Sequence, residues 1–147
     1  EIIKKYNKLP NIECYPGQLN QTFMNILSNA IDVLEEGRDK FGMQNPQISI
    51  NTELIENKTI AVRIADNGMG MTEEVKNKLF DPFFTTKPVG KGTGLGLSIT
   101  YQIIVEKHQG KLYCISELGK GTEFVIEIPQ CQKRESNEEI KSEELVM

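Results

Sequence analysis

Apolar residues recur at Leu19, Phe23, Ile26, Leu27, Ala30, Ile31 and Leu34, the spacing of one helix face, and Pro16 suits the first turn. The spacing predicts a helix over Leu19 to Leu34. The period then changes to two: Ile48, Ile50 and Thr52, followed by Ile60, Val62 and Ile64, alternate as strands, with Glu56-Asn57-Lys58 between them as a hairpin turn. A second hairpin is expected where Leu112 and Cys114 precede the turn Gly119-Lys120-Gly121, and Phe124, Ile126 and Ile128 follow it. Between the hairpins, Leu95 to Glu106 is apolar on most sides and predicts a buried helix stopped by Gly110. The chain opens as if in mid-strand, with Glu1-Ile2-Ile3 and no initiator Met, and is expected to be a piece of a longer protein. Helix, hairpin, short helix, glycine loop, helix, hairpin is the order of an α+β fold, a sheet covered on one face by helices.

From Gln130 onward the periodicity is lost and acidic residues dominate, so residues 130–147 are expected to be a solvated tail or linker beyond a domain at 1–129. Within 147 residues, 38% hydrophobic composition supports one packed core. A net charge of -4 argues against sequence-independent nucleic-acid binding, so any polyanionic ligand must be met by local dipoles, local lysines or a metal. Cys14, Cys114 and Cys131 form no CxxC pair and no even set, which argues against a disulfide framework or a zinc site and suits a reducing cytoplasm. No apolar run approaches the roughly 18 residues of a membrane span, so no membrane contact by this fragment is expected.

Four stretches could carry chemistry. Asn25, Asn29 and Asp32 fall within an arc of roughly 60° on the polar side of the first helix. A plain solvated face explains that arc, and so does a set of hard oxygen ligands for Mg²⁺. Ala65-Asp66-Asn67-Gly68-Met69-Gly70-Met71 ends a strand; it is either a simple turn or a carboxylate placed to accept from an exocyclic amine, with glycines that admit a flat ligand. Leu79-Phe80-Asp81-Pro82-Phe83-Phe84 is too broken for a helix and too aromatic for an idle loop, which suggests a hydrophobic plug beneath the glycine loop. In that loop Gly90, Gly92, Gly94 and Gly96 alternate, with Lys87 and Lys91 nearby and no acid from Thr85 to Gly94. The spacing fits neither the dinucleotide fingerprint nor the P-loop; a backbone anion cradle and a flexible linker both remain open. His108, the only histidine, sits at a helix end and reads as a residue near the helix dipole rather than a catalytic one.

Taken together, these stretches resemble the ATP-binding catalytic domain of bacterial sensor histidine kinases, within the superfamily that includes gyrase, the Hsp90 chaperones and the MutL proteins. Phe23-Met24-Asn25-Ile26-Leu27-Ser28-Asn29-Ala30 looks like the N box and Asp66-Asn67-Gly68-Met69-Gly70 like the G1 box. Phe80 to Phe84 is similar to the F box, Gly92-Thr93-Gly94-Leu95-Gly96-Leu97-Ser98 to the G2 box, and Gly119-Lys120-Gly121-Thr122-Glu123-Phe124 to the closing G-x-G-T-x-F segment. The long opening up to the N box resembles a nitrogen-regulator-like branch common among cyanobacterial kinases.

The resemblance implies the two-layer α/β sandwich of the Bergerat fold, a mixed, mainly antiparallel sheet with three helices on one face. It implies ATP and Mg²⁺, with Asn29 holding the metal and Asn25 assisting, and Asp66 taking the adenine amine. Gly68, Gly70, Met71 and Phe80 would surround the base, and Thr122 would reach Asp66 or a water at the adenine. Gly92, Thr93, Gly94, Leu95, Gly96 and Leu97 would form a lid over the triphosphate.

Two departures bear on the chemistry. Asp32 stands where many sensor kinases carry Lys or Arg, which leaves Lys87 and Lys91 to supply positive charge, Lys87 as a catalytic residue beside Asn25 and Asn29. Asn25 stands where gyrase and Hsp90-like ATPases carry a Glu that activates water, so transfer to another nucleophile is expected instead of hydrolysis. The implied acceptor is a histidine on a dimerisation domain outside this chain. A response regulator receiver domain is the implied downstream partner, and the parent protein is expected to be a homodimer. The alternatives are a nucleotide-binding sensor module that transfers nothing, and a serine kinase of the anti-sigma type.

Overall fold

The computed structural model describes residues 1–86 and 95–132. Five strands form one mixed sheet: β1 (Ile2–Tyr6), β2 (Ile48–Ile55), β3 (Thr59–Asp66), β4 (Lys111–Glu117) and β5 (Gly121–Pro129), in the order β1-β2-β3-β5-β4. β1 runs parallel to β2, and every other pairing is antiparallel. Both expected hairpins are present. Ile55 pairs with Thr59, so three residues close the first, and Asn57 and Lys58 among them have positive φ of 60° and 52°.

Helix α1 (Pro16–Phe41) begins where Pro16 fixes the first turn and ends at Gly42, whose φ of 63° terminates it in the left-handed conformation. It runs about two turns past the expected end, through the buried Gly37, which lies against the Met43 side chain. The short α2 (Glu73–Lys78) is capped by the Thr72 hydroxyl, which accepts from the Val75 N–H at 3.2 Å.

Helix α3 (Gly96–Tyr101) departs from the expected single α-helix, since it continues as a π-helical segment over Gln102–Lys107. There the His108 N–H reaches back five residues to the Ile103 carbonyl at 3.1 Å, and the Gly110 N–H bonds the Ile104 carbonyl at 2.8 Å. The segment buries Ile103 and Ile104 but leaves Tyr101 and Gln102 in solvent, so it is amphipathic rather than apolar all round.

The core joins alternate strand residues to the helices: Ile60, Ile64, Leu112, Phe124, Ile126 and Ile128 pack against Leu19, Ile26, Ala30, Leu34 and Ile104. One face of the sheet is thereby covered. The opposite face is held by ion pairs, where Arg63 on β3 bonds Glu53 on β2 and Glu123 on β5, each at 2.9 Å. Past β5, Gln130 is still tied in, its N–H donating to the Lys58 carbonyl and its carbonyl accepting from the Glu13 N–H, both at 2.9 Å.

Candidate functional site

The helix-facing rows of the sheet end in a polar rung. The register places Asp66 opposite Thr122 and Thr122 opposite Ser116, one step beyond the apolar rung Ile64, Phe124, Cys114. A cavity of about 400 Å³ opens between this rung and the helices. Asn25, Ser28, Asn29 and Val33 of α1 line one wall, Asp66, Gly70, Met71, Thr122 and Phe124 the sheet end, and Phe84, Thr85, Thr86, Gly96 and Leu97 the remainder.

Asp66 is buried, and burial pushes its carboxyl above the usual carboxylate range. Two backbone donors oppose that shift: the Gly68 N–H bonds Oδ1 at 2.9 Å, and the Thr122 N–H also donates to the carboxyl. The carboxylate is thus oriented by main chain and presented to the cavity as an acceptor. The loop after it is pinned from both sides. The Asn67 side chain accepts from the Gln47 N–H at 2.7 Å and donates to the Asn45 carbonyl at 3.0 Å. Gly70 has a φ of 73°, and a Cβ there would stand 2.1 Å from the Glu117 carbonyl oxygen. Only glycine lets this loop lie against the second hairpin.

Asn25 and Asn29 both face the cavity, and Asp32, on the same helix face by spacing, does not line it. The Asn25 Nδ2 donates to the Gly96 carbonyl at 3.1 Å and to the Thr100 hydroxyl at 3.2 Å. With its nitrogen so committed, the end of the amide that remains for a ligand is the hard, neutral oxygen. Among the described residues no cluster of three His, Cys, Asp or Glu side chains could cage a metal. That donor set fits a divalent cation only if it arrives with phosphate oxygens and water completing its shell.

The structure redraws several expected contacts. Gly68 and Phe80 do not line the cavity: Gly68 positions Asp66, and a Cβ on it would lie 2.6 Å from a Val33 methyl, while Phe80 stacks on Tyr101 at 5.4 Å between ring centroids. Leu95 is not in the lining either; its carbonyl accepts from Ser98 Oγ and the Ile99 N–H, both at 2.9 Å, starting α3. The three phenylalanines are no single plug, for Phe84 lines the cavity, Phe80 packs inward and Phe83 is 74% exposed at a φ of 65°. The Thr122 hydroxyl goes to Ser116 at 2.8 Å, so it is the Thr122 backbone that meets Asp66. His108 is a buried strut, with Nδ1 2.8 Å from the Ile103 carbonyl and Nε2 accepting from the Tyr15 N–H at 3.0 Å. Lys87, Lys91, Gly92, Thr93 and Gly94 lie outside the described residues. Ser116 and Thr100 belong to the site without any motif to mark them, although Ser116 continues the alternation of Leu112 and Cys114 into the polar rung.

A family model described as histidine kinase-, DNA gyrase B-, and HSP90-like ATPase matches residues 14–132. The chain belongs to that ATPase family. It is 37% identical over 123 residues to Signal transduction histidine-protein kinase AtoS of Escherichia coli (strain K12), covering 84% of this chain and 18% of that protein, and 42% identical over 127 residues to Sporulation kinase E of Bacillus subtilis (strain 168), covering 86% of this chain and 16% of that protein. The chain therefore spans about one sixth of that relative's length. Among solved structures, the nucleotide-free catalytic domain of histidine kinase ThkA superposes with a TM-score of 0.74 at 31% identity, over 90% of this chain and 81% of that one. ThkA in complex with response regulator protein TrrA superposes at 0.69 and 28% identity, over 88% and 34%. Full-length ShkA in complex with AMPPNP superposes at 0.73 and 27% identity, over 88% of this chain and 25% of that one. The α+β architecture is thus that of histidine kinase catalytic domains. No helix among the described residues is long and apolar enough to cross a membrane.

Proposed function

We propose that this chain is the catalytic part of a sensor histidine kinase, binding Mg-ATP in the cavity and passing the γ-phosphoryl group to a histidine on a separate dimerisation domain of the same protein. The observation that carries the choice of transfer over hydrolysis is the state of Asn25. Its amide nitrogen is held by Gly96 and Thr100, and an amide cannot take a proton from water. Among the described residues lining the cavity, Asp66 is the sole carboxylate, and two backbone N–H groups already orient it.

In this reading Asp66 accepts from the adenine amine, Gly70 and Met71 border the base, and Asn25 and Asn29 turn amide oxygens to the phosphate end. Mg²⁺, when bound, neutralises charge on the phosphate oxygens, and Asn29 with Asn25 would hold it. Lys87 and Lys91 add positive charge from the segment outside the described residues. A neutral imidazole is already a nucleophile, so the step needs alignment more than a base: a P–N bond forms as the γ-phosphorus to oxygen bond breaks, and ADP leaves with the electron pair. His108 does not serve as the acceptor, because it is fully buried and both ring nitrogens are engaged. The ThkA–TrrA complex supports a response regulator as the downstream partner. A catalytic unit at 1–129, a tail or linker at 130–147, a homodimeric parent and a cytoplasmic site complete the proposal.

Incubation with γ-labelled ATP, alone and with the dimerisation domain of the parent protein, tests it. Acid-labile label on the added domain's histidine, with none retained by the chain alone, is the expected result. Acid-stable label would mark a serine kinase, and binding without transfer would mark a sensor module.

A further inference from the structure

We infer that Ser116 is a positioning residue for base selection, acting through Thr122 to turn the sheet end of the cavity into a surface of hydrogen-bond acceptors. The inference rests on the nucleotide occupying this cavity. Three contacts meet at the buried Ser116 Oγ: the Met71 N–H at 2.8 Å, the Gly121 carbonyl at 3.1 Å and the Thr122 Oγ1 at 2.8 Å. A backbone N–H can only donate and a carbonyl can only accept. A serine hydroxyl has one proton and two lone pairs, so all three contacts are satisfied together in one way alone. Ser116 donates to Gly121, accepts from Met71, and must accept from Thr122.

Thr122 therefore has its proton committed, and what it offers the cavity it lines is lone pairs. Beside it on the same rung stands the Asp66 carboxyl, an acceptor when ionised. The two together suit a ligand edge that carries N–H donors, such as a 6-amino purine or a water donating both hydrogens. They disfavour a 6-oxo purine, whose oxygen would face two acceptors and leave them unpaired. Ser116 also holds the Met71 backbone at the cavity wall, which couples the strand-end loop to the same hydroxyl.

The test is calorimetric titration of the chain with ATP and with inosine triphosphate, which differs by a 6-oxo group. The wild type is expected to favour ATP. In Ser116→Ala, Thr122 loses its acceptor and can turn its proton into the cavity, and the ATP-to-ITP affinity ratio should fall about tenfold. Equal loss for both nucleotides would show mere loosening and overturn the proposal. Thr122→Val removes the hydroxyl that Ser116 orients, so it must also lower the ratio, and adding Ser116→Ala to it must change the ratio no further. A ratio unmoved by Thr122→Val overturns the inference even if Ser116→Ala does not fold. A wild type that binds neither nucleotide overturns the functional reading as well, whereas normal ATP binding with an unmoved ratio overturns only the role of Ser116.

Discussion

Asn25 on α1 and Thr100 on α3 are joined by a hydrogen bond of 3.2 Å, and both also bond the Gly96 carbonyl, Asn25 at 3.1 Å and Thr100 at 2.9 Å. Three polar groups thereby clamp the two helices at the cavity wall, with Thr100 fully buried. The clamp requires a donor at position 25. Asn25→Asp would set a carboxylate against a carbonyl and is expected to destabilise the fold by about 1–3 kcal/mol, read as a shift in the urea midpoint. Asn25→Gln, which keeps the donor on a longer stem, should lose less stability than the aspartate.

Asn29 makes a separable prediction. It lines the same wall, one turn along α1 from the residue that closes the clamp. Asn29→Ala should therefore lower the urea midpoint by less than Asn25→Asp does, while Mg-dependent ATP affinity falls about tenfold or more. Titrations with and without Mg²⁺ decide the matter. Equal affinities for Asn29→Ala and wild type in Mg²⁺ would remove the metal role.

Asp66 links pH to both stability and binding, with opposite signs. Burial raises its folded pKa above the unfolded value, so its contribution to stability is fully present below the unfolded pKa and is lost as pH rises through the folded one. At neutral pH the ionised carboxylate is held against the fold's own preference, and its use lies in accepting from a ligand. Asp66→Asn should therefore melt no lower than wild type at pH 7 while binding ATP about tenfold or more weakly. As pH falls toward the raised pKa, wild-type affinity should drop more steeply than that of Asp66→Asn, with ionisation of the nucleotide cancelling in the comparison.

How much of this was legible depends on whether the determining contact is local. Pro16 and the spacing of Leu19, Ile26, Ala30 and Leu34 announce α1, and two alternating runs around short turns announce each hairpin, because those preferences act within a few residues. The parallel seat of β1 on β2 depends on pairing Ile2 with Ile48, far apart in the chain, and nothing in the five exposed residues of β1 names that partner. The π-helical turn is likewise invisible in Leu95 to Glu106, since it is fixed by where Ile103 and Ile104 must pack and by the bond from distant Tyr15 to His108. At the site, Asn25, Asn29 and Asp66 were readable as polar groups in motifs. Thr100, Ser116 and Val33 were not, because their importance comes from being brought beside those groups by tertiary contact.

Two glycines of the site region separate backbone strain from steric conflict. Gly119 has a φ of 82° with nothing within 4 Å of the point a Cβ would occupy, while Gly70 has a φ of 73° and would bring a Cβ to 2.1 Å from the Glu117 carbonyl oxygen. Gly119→Ala is expected to cost only the left-handed penalty, about 1–2 kcal/mol. Gly70→Ala adds a clash with main chain on an adjoining strand and should cost about 3 kcal/mol or more, with loss of ATP binding as the loop is forced off β4. Urea titrations of the two variants with a parallel ATP titration give both readouts, and equal costs would show that the loop yields without strain.

The bond between exposed Tyr15 and buried His108 ties the start of α1 to the π-helical segment, and its removal tests whether the far end of α1 matters to the site. The imidazole serves as donor to the Ile103 carbonyl and as acceptor for the Tyr15 N–H, and Tyr15 packs edge-on to it at 5.4 Å between ring centroids. His108→Leu keeps the bulk but leaves the Tyr15 N–H without its partner, while the Ile103 carbonyl keeps the backbone N–H of residue 108, at an expected cost of about 1–3 kcal/mol. Asn25 and Asn29 lie more than two turns further along α1, so ATP affinity measured well below the melting temperature should change by less than about threefold. A large loss of affinity in a folded His108→Leu protein would mean that the strut sets the register of α1 against the cavity, because neither ring nitrogen is available to touch the nucleotide itself.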